Sequence, residues 1–348
     1  MKAAIFNGKG NVKLGERPDP KIQLQTDAIV RVVRSCVCGS DLWYYRGLSS
    51  HASGPIGHEF IGIVKEIGEN VKNLEKGDFI ISPFTFNDGS CPNCVRGWTG
   101  NCEHGGSFGN NGIDGGQGEF VRVPFADTTL VKVNGRDFSE EKLKSLLTLS
   151  DVLCTGYHAA VSANVTKGST VVVVGDGAVG LCGVISSKRL GANRIIVMSR
   201  NPSRQRLAKE FGATDIIEER GPEAVKKVME FTHGEGADAT LECVGTYESM
   251  NAAFGSARVG SIVGSVGVPH GVEVPINNVI FKNVGLRGGI APARHYIPEL
   301  IDDVINGKIN SGKVFDFQTD LNGIEEAYKV MDERKAIKSY IIVSDLQQ

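Results

Sequence analysis

Val171-Val172-Val173-Val174-Gly175-Asp176-Gly177-Ala178-Val179-Gly180 runs from a short apolar stretch into a glycine-rich turn and on into an apolar helical pattern. A strand, a GxGxxG turn and a helix in that order give each glycine a physical task. They allow a tight turn, close approach of a pyrophosphate and close packing of helix on strand. Unpaired N–H groups at the helix start, aided by its dipole, favour an anion there. Gly175, Gly177, Ala178, Val179 and Gly180 are therefore candidate dinucleotide-binding residues, and the stretch predicts a Rossmann-type doubly wound parallel sheet.

The next strand outward ends Val197-Met198-Ser199-Arg200, where readers of NAD usually carry a carboxylate for the ribose hydroxyls. A hydroxyl and a guanidinium stand in its place. Ser199, Arg200 and Arg204 suit a 2′-phosphate, which arginine grips through forked, charge-assisted hydrogen bonds. NADP is expected in preference to NAD.

Around this core the texture changes along the chain. Up to about residue 133, short strand patterns with turn punctuation (28–33, 61–67, 78–81, 119–123) predict a β-rich, barrel-like domain. Beyond a helical stretch at 139–149, strands at 170–174, 194–198, 239–243 and 261–266 are interleaved with helices such as 202–211. A helix at 297–306 and a strand at 340–343 close the chain.

Two clusters carry metal chemistry. Cys38-Gly39-Ser40-Asp41 and Gly57-His58-Glu59-Phe60-Ile61-Gly62 couple a thiolate and an imidazole to adjacent carboxylates. Zinc takes such donors and, at a catalytic site, keeps one tetrahedral position for substrate. Cys91, Cys94 and Cys102 form a second cluster, whereas Cys154, Cys182 and Cys243 lie in apolar surroundings that suit a buried thiol.

Taken with CGSD, GHExxG, GxGxxG and Ser265-Val266-Gly267-Val268-Pro269 in that order, the whole chain resembles the zinc-dependent medium-chain alcohol dehydrogenases. Its motifs are most similar to those of the bacterial NADP-dependent secondary alcohol dehydrogenases. The resemblance implies a GroES-like catalytic domain (residues 1–150 and 290–348) interrupted by the Rossmann domain (151–289). It also implies Asp151, in Asp151-Val152-Leu153-Cys154-Thr155-Gly156, as the third zinc ligand in preference to Cys154. Glu59 would be a further, transient ligand, and Ser40 would pass the alcohol proton toward solvent. Asp41 would fix the His58 ring, with Lys338 as its cationic partner and a cofactor-side residue. Thr155, Val266, Gly267 and Val268 would contact the nicotinamide, and Trp43, Tyr44 and Phe84 would line the substrate cleft.

Two departures from the family pattern stand out. Trp43 occupies the position where the proton relay usually continues through a histidine, leaving a cofactor ribose hydroxyl, water or His51 as alternatives. Asp88 replaces the first cysteine of the CxxCxxCx7C structural lobe, so a second zinc would rest on Asp88, Cys91, Cys94 and Cys102, with His104 an alternative fourth donor.

Composition narrows the partners. Lysine and arginine total 38 against 40 acidic residues, a net charge of −2 that argues against nucleic acid or a membrane surface. The N-terminal residues form no apolar leader, so a cytoplasmic protein is expected. A small alcohol or carbonyl substrate fits best, and the resemblance implies a homodimer or homotetramer. A polyol, sugar or amino-alcohol dehydrogenase shares every motif, while a non-catalytic NADPH sensor leaves Cys38, His58, Asp151 and Ser40 unexplained.

Overall fold

The computed structural model describes residues 1–110 and 112–347 and divides into two compact units, Met1–Asp151 with Pro292–Gln348, and Val152–Ala291. The cut falls directly after Asp151.

In the first unit the strand Ala28–Cys36 is the hub. It pairs antiparallel with Phe60–Ile67, Phe120–Val123 and Lys338–Ile342, and bulges near Ile29 and Val32 let it serve different partners along its length. Phe79–Ser82 and Val131–Val133 extend the sheet on one side, and Phe315–Asp320 joins Lys338–Ile342 in parallel on the other. Ala28, Val30, Val32, Phe60, Val64 and Ile80 are buried in one apolar cluster. Burying this alternating set fixes the register, because a slip of one residue would turn it outward.

That register assembles the site. Ser35 pairs with Phe60 and Cys36 with Tyr340, so the end of one strand lies beside the beginnings of two others. Cys38, His58 with Glu59, and Lys338 all emerge at that end of the sheet.

The second unit holds six parallel strands. Numbered by their order in this unit, they lie 3-2-1-4-5-6 across the sheet: Asp215–Ile217, Arg194–Met198, Thr170–Val174, Ala237–Glu242, Ala257–Ser265 and Gly285–Gly288. Strand order reverses beside Thr170–Val174, and ligands of such sheets bind at the carboxyl ends there. Val171, Val172 and Val173 are fully buried, which explains a continuous apolar run in place of alternation.

Gly175 has φ 114°, a conformation that favours glycine. A Cβ at Gly180 would meet the Gly175 carbonyl oxygen at 2.0 Å, so helix Ala178–Arg189 packs on its strand only with glycine there. No atom beyond its chain neighbours lies within 4 Å of a Cβ built at Gly177, leaving room for a ligand.

The pattern does not mark the hairpin Lys2–Phe6/Val12–Glu16, the strand Phe315–Asp320 or the helix Ile324–Asp332, among others. The helix expected at 297–306 begins earlier, at Ala293, and continues through Pro298 to Ile305.

Helix Val152–Ser162 crosses Ala178–Arg189 so closely that a Cβ on Gly156 would lie 2.6 Å from the Gly183 nitrogen and 2.8 Å from the Val179 oxygen. Gly156→Ala should therefore destabilise the protein by about 1–3 kcal/mol, read as a lower urea midpoint. An unchanged midpoint would contradict this packing.

Candidate functional site

Cys38, His58, Glu59 and Asp151 each bring a donor atom to one place, all within 4.8 Å of one another. Cys38 Sγ and His58 Nε2 each lie 3.5 Å from Asp151 Oδ2. Glu59 is fully buried, and Cys38 and Asp151 are each only 7% exposed. Asp151 arrives from the short link between helices Glu140–Thr148 and Val152–Ser162. The Ser150 hydroxyl donates to the Ser82 carbonyl at 2.5 Å, and the Ser150 carbonyl accepts from the Phe84 N–H at 2.9 Å, anchoring that link to the sheet. Cys154 is fully buried inside the following helix.

The imidazole is held from behind. His58 Nδ1 lies 3.3 Å from Asp41 Oδ1, while Asp41 Oδ2 accepts from the Cys38 N–H at 3.0 Å and from Gln117 Nε2 at 3.3 Å. Gln117 also donates to the Cys36 carbonyl and accepts from the Tyr328 hydroxyl. One buried network thus orients both Cys38 and His58, leaving Nε2 directed to the donors. Gln117 and Tyr328 were invisible in the sequence, since nothing local marks them.

Lys338 departs from expectation. Its ammonium donates to Glu59 Oε1 at 2.6 Å and to the Val37 carbonyl at 3.1 Å, so it partners Glu59 and not Asp41. At 1% exposure that pair is enclosed by protein. Glu59 Oε2 has no hydrogen-bond partner among the described residues. A buried carboxylate oxygen without a partner is costly and calls for a cation or proton. Burial pushes the Cys38 thiol up, and the Glu59 and Asp151 carboxylates add to this. Burial works against charge on His58, but Asp41 and Cys38 outweigh it and raise its pKa well above the usual value. A thiol, an imidazole and two carboxylates gathered in this way fit zinc.

The remaining candidates are spread along the first unit. Ser40 is half-buried at the start of the five-residue helix Asp41–Tyr45. Phe84 stands edge-on to the His58 ring, centroids 6.3 Å apart, whereas Trp43 is half-buried within the short helix. Tyr44, expected at the cleft, packs on His51 at 4.6 Å and against the apolar cluster that includes Tyr328. His51 itself sits between Tyr44 and Phe6, with Nδ1 2.6 Å from the Ala52 carbonyl.

Asp88, Cys91, Cys94 and Cys102 form a second group of donors within the same mutual distance. Cys91 Sγ and Cys102 Sγ are 3.9 Å apart, and Asp88 Oδ1 accepts from the N–H groups of Ser90 and Cys91. His104 Nδ1 lies 2.6 Å from Asp88 Oδ2, so it backs the carboxylate and is not itself among the gathered donors. Burial works against ionisation of Asp88, but His104 and those backbone donors hold its carboxyl well below the usual range.

In the second unit, Glu242 is a buried carboxylate that the sequence reading passed over. It accepts from Val244 N, Gly245 N, the Ser249 hydroxyl and the Ser265 hydroxyl, and its own carbonyl accepts from Val266 N. The loops carrying Cys243 and Val266, Gly267 and Val268 are thereby clamped together. Thr155 is half-buried on helix Val152–Ser162. Ser199 and Arg204 are 4% and 7% exposed, whereas Arg200 is exposed.

Comparison with known proteins agrees with both halves. Residues 25–135 match the family model of the alcohol dehydrogenase GroES-like domain, and residues 178–306 that of the zinc-binding dehydrogenase. Zinc-type alcohol dehydrogenase B of Aspergillus flavus is 35% identical over 97% of this chain and 80% of its own. An uncharacterised zinc-type alcohol dehydrogenase-like protein of Bacillus subtilis is 32% identical over 96% and 97%. The solved alcohol dehydrogenase from Thermus sp. ATN1 superposes with a TM-score of 0.91 at 32% identity, covering 99% of this chain and 100% of that one. The chain belongs to the zinc-type medium-chain alcohol dehydrogenase family, and its fold is the GroES-like plus Rossmann architecture of that family. No helix among the described residues is long and apolar enough to cross a membrane.

Removing the Lys338 charge would leave Glu59 buried and unpaired. In EDTA-treated protein, Lys338→Met should cost about 3–5 kcal/mol in urea denaturation, much of it recovered in the Glu59→Gln/Lys338→Met double variant. A single variant as stable as the parent would contradict the pairing.

Proposed function

We propose that this chain interconverts a small, secondary alcohol and its ketone with NADP, using a zinc held by Cys38, His58 and Asp151. The convergence of those donors with Glu59 carries the reading. Zinc, when bound, supplies a Lewis acid that lowers the pKa of the alcohol hydroxyl in oxidation and polarises the carbonyl in reduction.

The chain's own residues do the rest. Asp41 accepts from His58 Nδ1 and so keeps the Nε2 lone pair for the metal. Ser40 receives the hydroxyl proton and passes it to solvent, by ribose hydroxyl, water or His51 where Trp43 interrupts the usual relay. Thr155 and the loop Val266, Gly267 and Val268 would hold the nicotinamide, which when bound would supply the acceptor for the carbinol hydride. Glu59, tethered through Oε1 to Lys338, keeps Oε2 available as a reserve donor during ligand exchange. Trp43 and Phe84 give the cleft aromatic walls that suit an apolar substituent. Ser199, Arg200 and Arg204 support NADP over NAD through the 2′-phosphate.

A second zinc on Asp88, Cys91, Cys94 and Cys102 belongs to the same proposal and would brace the lobe it closes. The carboxylate in place of a fourth thiolate fits zinc through oxygen.

Metal analysis and NADP reduction with 2-propanol test the reading together. Asp151→Ala should lose one zinc equivalent and more activity than the ~10–100-fold loss typical of outer partners, while Cys154→Ser keeps both. NADP should exceed NAD in kcat/KM. The opposite metal pattern would overturn the ligand assignment, and NAD preference would overturn the cofactor assignment.

A further inference from the structure

The residues credited with gripping a 2′-phosphate are not waiting for an anion, because one is already present. Asp176, between the first two glycines of the GxGxxG turn, accepts from the Ser199 hydroxyl through Oδ2 at 2.8 Å. Its Oδ1 lies 3.3 Å from Arg204 Nη1. The side chains of this ion pair are 9% and 13% exposed, so water screens it little. Asn201 caps the helix Pro202–Phe211 by accepting from the Ser203 and Arg204 N–H groups, which fixes the start of the helix that carries Arg204.

Two consequences follow from charge alone. The Arg204 guanidinium is neutralised by Asp176, leaving the exposed Arg200 as the cation in surplus beside Ser199. A phosphate carrying about −1.5 to −2 charges would also meet a carboxylate at the position meant to receive it. The strand end Met198-Ser199-Arg200 lacks the acid that reads a ribose 2′-hydroxyl, but the fold supplies one from the neighbouring loop. A carboxylate has about four acceptor sites, so bonds to Ser199 and Arg204 do not exhaust it.

We propose that Asp176 is a specificity-determining residue: its carboxylate accepts from the 2′-hydroxyl of NAD and repels the 2′-phosphate of NADP. The chain then takes both cofactors, with Arg200 favouring NADP and Asp176 narrowing the margin. This inference builds on the NADP reading above but is decided by a separate quantity.

Binding of 2′,5′-ADP and 5′-AMP, measured by calorimetry at low ionic strength, gives a phosphate-preference ratio independent of turnover. Asp176→Asn should raise that ratio by roughly 5- to 10-fold, and the gain should shrink in ~0.5 M salt as the removed repulsion is screened. Asp176→Glu, which keeps the charge, should leave the ratio low. Asp176→Ser carries the same test if the asparagine variant does not fold. A ratio that stays constant or falls on neutralisation would overturn the inference, since Asp176 would then merely preorganise Ser199 and Arg204. Preference of the parent protein for 5′-AMP, unaffected by Arg200→Ala, would defeat the NADP reading while leaving the Asp176 result to be judged on its own.

Discussion

The pairing of one strand end with two strand beginnings is the constraint on which the site depends. Cys36 opposite Tyr340 and Ser35 opposite Phe60 bring Cys38, the His58-Glu59 pair and Lys338 to the same end of the sheet. Antiparallel pairing requires this, since strands that run in opposite directions place an exit beside an entrance. Slipping either ladder by one residue would separate the donors and expose the apolar face that includes Val30, Val32 and Phe60. Core burial and the gathering of the donor side chains are thus secured by the same hydrogen-bond register. The C-terminal segment is part of this arrangement, because Lys338 opens its strand.

The site is also an electrostatic problem with a particular solution. Glu59, Asp41 and Asp151 are three carboxylates in a buried region that also holds a thiol. Lys338 compensates one oxygen of Glu59, while His58 lies between the other two, with the Cys38 N–H also serving Asp41 and the Cys38 thiol beside Asp151. The unpartnered Glu59 Oε2 completes a donor set suited to a divalent cation. Buried charge of this kind contributes less to folding than to placing groups, since well-packed apolar residues would stabilise the fold as well or better.

Much of this was legible because its signals are local. Strand, glycine turn and helix follow one another around Val174 and Gly175, and the Cys38 and His58 segments carry their donors within a few residues. The signals that failed are tertiary. The family resemblance pairs Lys338 with Asp41, and nothing local in the sequence says that a strand's first side chain faces Glu59 instead. Tyr44 and Trp43 are neighbours in sequence, yet a helix turns about 100° per residue, and Tyr44 is directed to His51 and the core. Asp176 carries no local signal of a role, and only the fold brings the Ser199 hydroxyl to its carboxylate. Glu242 falls within the strand expected at 239–243, and only the fold shows its carboxylate accepting four hydrogen bonds, from the loop after its strand, the next helix and the end of the neighbouring strand.

Anomalous diffraction at the zinc edge, from crystals grown with stoichiometric zinc, addresses the central claim most directly. The account predicts a peak bonded to Cys38 Sγ, His58 Nε2 and an Asp151 oxygen, at about 2.0–2.3 Å. A peak ligated by Cys154, or none at these residues in a zinc-replete, active enzyme, would contradict it.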